Sequence, residues 1–194
     1  MAQEYDFQTA TVGTFKALLE GAKANAGTER LQSIALVCHG PPTGETSEFE
    51  WKVSEQLAVQ SLAGMTDKDN DIHKLFCLLA DAVGPKDGGG RVDLFACSLI
   101  ASQEGRAALQ SLESETGAAF AASSNLTGNP KHGGDWIMES HNIDVRNLYF
   151  ADTADFDGTF CLSPDATNNL FCCICCCPIC CCLIPIIIIA TLVA

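Results

Sequence analysis

Apolar residues along the first 150 positions follow two different spacings. Val12, Phe15, Leu18, Leu19, Ala22 and Ala26 recur at three- and four-residue intervals, which predicts an amphipathic helix stopped at Gly27. Ile72, Leu75, Phe76, Leu79, Ala82 and Val83 form a second helical stripe, closed by Gly84 and Pro85. A third helix, roughly Ser102 to Thr116, turns Ala108, Leu109 and Leu112 to one side and ends at Gly117. Short continuous apolar runs lie between the helices: IALVC (34–38), VDLFA (92–96) and AAFAA (118–122). Runs of this kind suit strands covered on both faces. EFEWKV (48–53) alternates and predicts a short exposed strand, and KDGGG is a turn. After the loop SSNLTGNPKHGGD, the stretch WIMESHNIDVRNLYF reads as a hairpin, with Asn142 in its turn. Strand, helix, strand, helix, strand predicts an α/β fold with a mostly parallel sheet flanked by helices.

Charge divides the chain. Of 194 residues, 24 are acidic and 11 basic, for a net charge of −13. That balance excludes nucleic acid as a partner, because phosphate binding needs a basic face. No Asp, Glu, Lys or Arg follows Asp165. The expected organisation is a domain over 1–160, a linker over 161–169 and an apolar tail over 170–194. MAQEYDFQ has neither a basic start nor an apolar run, so no secretory signal is expected and the domain should sit in a reducing compartment. Cys38, Cys77, Cys97 and Cys161 then need not pair, and their spacing matches no zinc pattern. No metal or other cofactor is expected. His73 on the polar side of a helix, His132 in a loop and His141 in the hairpin are expected at the solvated surface. Asn125-Leu126-Thr127 has the form of a glycosylation sequon but reads as a turn.

In parallel sheets, reactive groups sit in loops beyond the carboxyl ends of the strands. His39 and Gly40 directly follow IALVC, and Cys97 and Ser98 directly follow VDLFA. If the two strands are neighbours, an imidazole and a thiol emerge at one edge. A thiol is a weak nucleophile until deprotonated, and a histidine within reach can take that proton and later return it to a leaving amine. Backbone N–H groups at Gly40 and Cys97 would be the donors to an oxyanion. Pro41, Pro42 and Gly44 would stiffen the adjoining loop. Each residue also has a plainer reading: a solvated loop histidine, and a small buried hydrophobe for the cysteine.

An apolar block ending in His-Gly, followed by one ending in Ala-Cys-Ser, resembles the caspase–legumain–gingipain clan of cysteine peptidases. The blocks IALVCHG, VDLFACSLIASQEGRAALQSLESETGAAFAASSNLTG and GGDWIME resemble more closely a family called domain of unknown function 4347. That family occurs mostly near the amino ends of large bacterial surface proteins with cadherin-like or other repeats. The resemblance covers roughly Leu31 to Glu139. It implies a caspase-like fold, with Cys97 in the nucleophile position, His39 in the histidine position and Gly40 in that of the oxyanion glycine. Gly133, Gly134, Asp135 and Trp136 match the closing motif, as turn glycines, a carboxylate that could face substrate or His39, and a packing anchor. The amino-terminal strand of this chain is expected to be short.

The tail is LFCCICCCPICCCLIPIIIIATLVA, and eight of the chain's 12 cysteines fall within it. A helix of this length spans about 37 Å, enough to cross a bilayer core of about 30 Å, although Pro178 and Pro185 would kink it. Cys172, Cys173, Cys175, Cys176, Cys177, Cys180, Cys181 and Cys182 are candidates for S-acylation. A thiolate metal cluster is the weaker reading, since its spacers would be Ile, Pro and Leu. The chain is therefore expected at a membrane, single-pass or lipid-anchored by its carboxyl end, with the domain facing the cytosol. Two functions are open. One is a membrane-tethered cysteine peptidase acting on a protein or peptide substrate. The other is a catalytically inactive module of the same fold, used for binding or assembly at a membrane, with the tail meeting lipid in both.

Overall fold

The computed structural model describes residues 2–5, 8–38, 51–59, 61–149, 158–159 and 186–191. A sheet of five strands runs through its centre. In chain order the elements are β1 (Ala2–Tyr5), α1 (Val12–Ala26), β2 (Ser33–Val37), β3 (Trp51–Ser54), β4 (Leu57–Val59), α2 (Asp71–Val83), β5 (Arg91–Phe95), α3 (Gln103–Thr116) and β6 (Ala119–Ala122). They are followed by β7 (Ile137–Met138), β8 (Ile143–Asp144), α4 (Arg146–Tyr149) and β9 (Ile186–Thr191). The main sheet has the order β1-β9-β2-β5-β6. β2, β5 and β6 are parallel neighbours, with Val37 level with Phe95 and Leu94 level with Ala122.

The helix ends follow from local chemistry. Thr11 and Thr14 form a reciprocal cap at the start of α1, and Gly27 closes it at φ 64°. Asn70 caps α2 by accepting from the Ile72 N–H, and Ser102 caps α3 by accepting from the Gly105 N–H. The three long helices share one side of the sheet. Phe15 and Leu19 of α1, Phe76 and Leu79 of α2 and Leu112 of α3 are buried there with Ile34, Leu36, Val92, Leu94 and Phe120. Phe76 meets Phe120 edge to face, with ring centroids 5.8 Å apart. The β2-α2-β5 and β5-α3-β6 crossovers advance in one direction, so right-handed connections put both helices on the same face. The opposite face carries Ala35, Val37, Phe95, Cys97 and Ala121, covered by Trp136, Met138 and Val145.

Several expectations change in detail. Asn142 does sit in the β7–β8 turn, at φ 52°, but the stretch after β8 turns into the single helical turn α4 instead of continuing as a strand. The strand expected over 48–53 is described from Trp51 and pairs with β4 in a small separate hairpin. The amino-terminal strand, expected to be short, is the four-residue β1, although AQEY contains no apolar run. His73 is buried, not solvated, because Glu115 on α3 meets its Nε2 at 3.0 Å. His132 is exposed as expected.

β9 lies inside the segment read as a membrane anchor. Its backbone pairs antiparallel with β2 on one side and with β1 on the other. A run of four isoleucines is also the pattern of a strand at the centre of a sheet. Cys172 to Cys182 lie outside the described residues. Among the described residues, no helix is long and apolar enough to cross a membrane.

Candidate functional site

β2 and β5 are adjacent, parallel and level at their carboxyl ends. The N–H of Cys38 donates to the Phe95 carbonyl at 3.0 Å. The candidates His39 and Cys97 thus follow neighbouring strands. His39 and Gly40 lie outside the described residues, as does the loop containing Pro41, Pro42 and Gly44.

Cys97 is fully buried. Its sulfur accepts the Thr127 N–H at 3.3 Å, and its S–H donates to the Thr127 carbonyl at 3.7 Å. It packs with the apolar residues around Trp136. The next residue, Ser98, has φ 56°, a left-handed conformation that is uncommon without a glycine. The Ser98 N–H donates to the Asn125 carbonyl at 2.7 Å, and the Ile100 N–H donates to the Ser123 carbonyl at 3.1 Å. The turn after β5 is thereby pinned to the loop after β6.

That loop is in turn pinned to the Gly-Gly-Asp-Trp segment. Asp135 accepts from Asn125 Nδ2 at 3.0 Å and from the Ile137 N–H at 2.9 Å. The Asp135 N–H donates to Leu126 O at 2.9 Å, and its carbonyl accepts the Gly128 N–H at 2.7 Å. A Cβ at Gly134 would lie 3.0 Å from the Gly128 backbone, so the two chain segments cross where a side chain would collide. Trp136 then enters the core at 2% exposure. The three sequence blocks Ala-Cys-Ser, Ser-Ser-Asn-Leu-Thr-Gly and Gly-Gly-Asp-Trp form one hydrogen-bonded assembly. The structure gives Asp135 a bracing role in it, toward Asn125 and Ile137.

One polar atom in this assembly stands apart. Thr127 Oγ1 is buried and has no hydrogen-bond partner among the described residues. Sequence reasoning passed over it, because Thr127 reads as a turn residue.

A second polar cluster was also passed over. Asp93, the second residue of VDLFA, is fully buried on the face that also carries Cys97. Arg91 grips it with Nε at 2.6 Å and Nη2 at 2.9 Å. The Tyr149 hydroxyl contacts both Asp93 Oδ2 and, at 2.8 Å, Ser33 Oγ. Burial, reinforced by the Asp93 charge, pushes the Tyr149 phenol well above its ordinary range. Burial opposes the Arg91 charge, but the hydrogen bond and charge of Asp93 outweigh it and raise the guanidinium further. The signal available in sequence was one acidic residue inside an apolar strand.

Cys77 lies one helical turn from His73, with its sulfur 3.8 Å from both ring nitrogens. Equal distances leave the sulfur off either nitrogen's lone-pair axis, so the pair lacks the geometry of a nucleophile and its base. Burial, with the charges of Glu115 and Asp81, pushes the Cys77 thiol up. Cys38, Cys77 and Cys97 form no disulfide with one another. Among the described residues, no group of three or more His, Cys, Asp or Glu side chains could hold a metal ion.

No curated protein and no solved structure matches the chain. A family model does match, over residues 11–159, from the cap of α1 to the Thr159 bridge on Gly128. That span takes in the parallel sheet and the three pinned blocks, and the chain belongs to the family described as domain of unknown function DUF4347.

Proposed function

We propose that the domain is a caspase-like module that acts by binding or assembly at a membrane and does not hydrolyse peptides. The observation that carries this reading is the state of Cys97. Its thiol is fully buried, and the Thr127 main chain meets it as both donor and acceptor. A nucleophile must reach an incoming carbonyl, and here the sulfur instead joins two loops. Membrane attachment runs through Cys172 to Cys182 by S-acylation. A lipid anchor suits the sheet position of Ile186–Thr191, because acyl chains on the cysteines do not require those residues in a bilayer.

A second reading, cysteine peptidase, draws on two features. β2 and β5 end level with each other, two residues before His39 and Cys97. Ser98 holds a left-handed backbone next to the thiol, and strain of that kind collects at working sites. In this reading Cys97 attacks a peptide carbonyl, His39 takes the thiol proton and gives it to the leaving amine, and N–H groups at Gly40 and Cys97 hold the oxyanion. The thiol must first leave Thr127. A thiol-reactive peptide-like probe, with labelling read at the Cys97 peptide by mass spectrometry, separates the two. The module reading expects the same negligible labelling at Cys97 in the native protein and in His39→Ala. Labelling at Cys97 that His39→Ala abolishes would establish the peptidase.

A further inference from the structure

β6 pairs with β5 on one side and forms the edge of the sheet on the other. Phe120 and Ala122 direct their N–H and C=O groups outward from that edge. An open edge strand invites pairing with another chain. Here all four groups are occupied. Glu113 Oε1 accepts the Phe120 N–H at 2.8 Å, and Ser140 Oγ accepts the Ala122 N–H at 2.9 Å. Ser140 also donates its own N–H to the Ala122 carbonyl at 3.2 Å and its hydroxyl to the Phe120 carbonyl at 3.4 Å. His141 ties the two blockers together, with Nδ1 3.0 Å from Ser140 Oγ and Nε2 3.1 Å from Glu113 Oε1.

We propose that Glu113, Ser140 and His141 form a side-chain seal that closes the β6 edge to a second copy of this chain. A second copy is the natural occupant because the edge is self-complementary. In an antiparallel pair about a twofold axis at Ala121, Phe120 exchanges both bonds with Ala122 of the other copy, and Ala122 does the same with its Phe120. The strand Ala-Phe-Ala-Ala carries no charge to oppose such a pairing. Hydroxyl, imidazole and carboxylate in this order also resemble a hydrolytic relay. Ser140 Oγ is already committed to the strand edge, however, and attack on a substrate would break the bonds it makes there. The seal uses one residue from α3 and two from the β7–β8 turn, so it also locks the hairpin to the sheet.

Residue-resolved amide exchange and sedimentation on the full chain test the proposal. The Phe120 and Ala122 amides should exchange slowly in the native protein. Ser140→Ala should speed exchange at Ala122 about tenfold or more and spare Phe120, and Glu113→Ala should do the reverse. The Glu113→Ala/Ser140→Ala double variant should double in mass relative to the native chain at equal concentration. Adding Ala122→Pro, which removes an outward donor without touching the β5 ladder, should return it to the native mass. Should the double variant fail to fold, Ser140→Ala alone carries the mass measurement. Native amides that exchange as fast as those of the variants, or folded variants that keep the native mass, would overturn the proposal.

Discussion

At the scale of single residues, the molecule invests its buried polar groups in holding loops and the short helix α4 to the sheet. Cys97 and Thr127 share two hydrogen bonds. Cys97→Ala leaves the Thr127 N–H without that acceptor, and should cost about 1–3 kcal/mol in urea unfolding, whereas Cys97→Ser should cost less. Thr127→Val removes a hydroxyl that has no partner among the described residues, and should leave stability unchanged or raise it. A clear loss of stability in Thr127→Val would show that the hydroxyl is engaged after all. Asp93 behaves differently, because it is fully buried with the Arg91 guanidinium as its partner. Arg91→Ala would strand that carboxylate and should cost about 3–5 kcal/mol, against about 1–3 kcal/mol for Tyr149→Phe, both read from denaturant midpoints. These roles were only partly legible. Cys97 stood out by following an apolar strand, but the sequence could not tell a nucleophile from a buried tether. Asp93 was marked only as an acidic residue inside an apolar strand, and Thr127 gave no signal, since Tyr149 and Cys97 come from distant parts of the chain.

At the scale of elements, the face carrying the three long helices and the face carrying the hairpin differ in how they are held. The helix face rests on apolar contact, supplemented by a polar link between α2 and α3. His73 hydrogen-bonds Glu115, Lys68 adds a second bond, and together they hold the Glu115 carboxyl below its ordinary value of 4.5. A carboxylate depressed in the folded state contributes stability above its unfolded value, and that stability is lost as pH falls through the folded value. Urea midpoints should therefore fall on acidification below about pH 4.5, and Glu115→Gln should show a shallower fall in that window. The other face depends on Trp136, whose truncation to Ala should cost about 3–5 kcal/mol and loosen the hairpin first, as seen by amide exchange at Met138 and Val145. Helix and strand positions were legible because apolar spacing and capping residues such as Thr11, Asn70 and Ser102 are local signals. The one-turn helix α4 was not, because it depends on Tyr149 reaching Asp93 across 56 residues of sequence.

At the scale of the whole molecule, the tail sets the main question. Its cysteines propose a lipid anchor, and its isoleucines join the sheet. Replacing all eight cysteines from Cys172 to Cys182 by serine keeps Ile186–Thr191 intact, so it separates the two contributions. In cell fractionation, that variant should move from the membrane to the soluble fraction. Deleting 170–194 should release the chain too, and should also lower the unfolding midpoint because β2 loses its antiparallel neighbour. An unchanged membrane fraction after cysteine replacement would dismiss acylation as the anchor.

The sequence by itself determined the three long helices, the buried parallel strands, their order as alternating units and the membership of the chain in its family. Apolar period, caps and short motifs are written in neighbouring residues, and neighbouring residues are enough to specify them. Only the tertiary structure decided what Cys97 touches, why Gly134 must lack a side chain, which hydroxyl reaches Asp93 and how the β6 edge is closed. Each of those depends on which distant segments come to lie within a hydrogen bond of one another, and that distance exists only after the sheet has assembled.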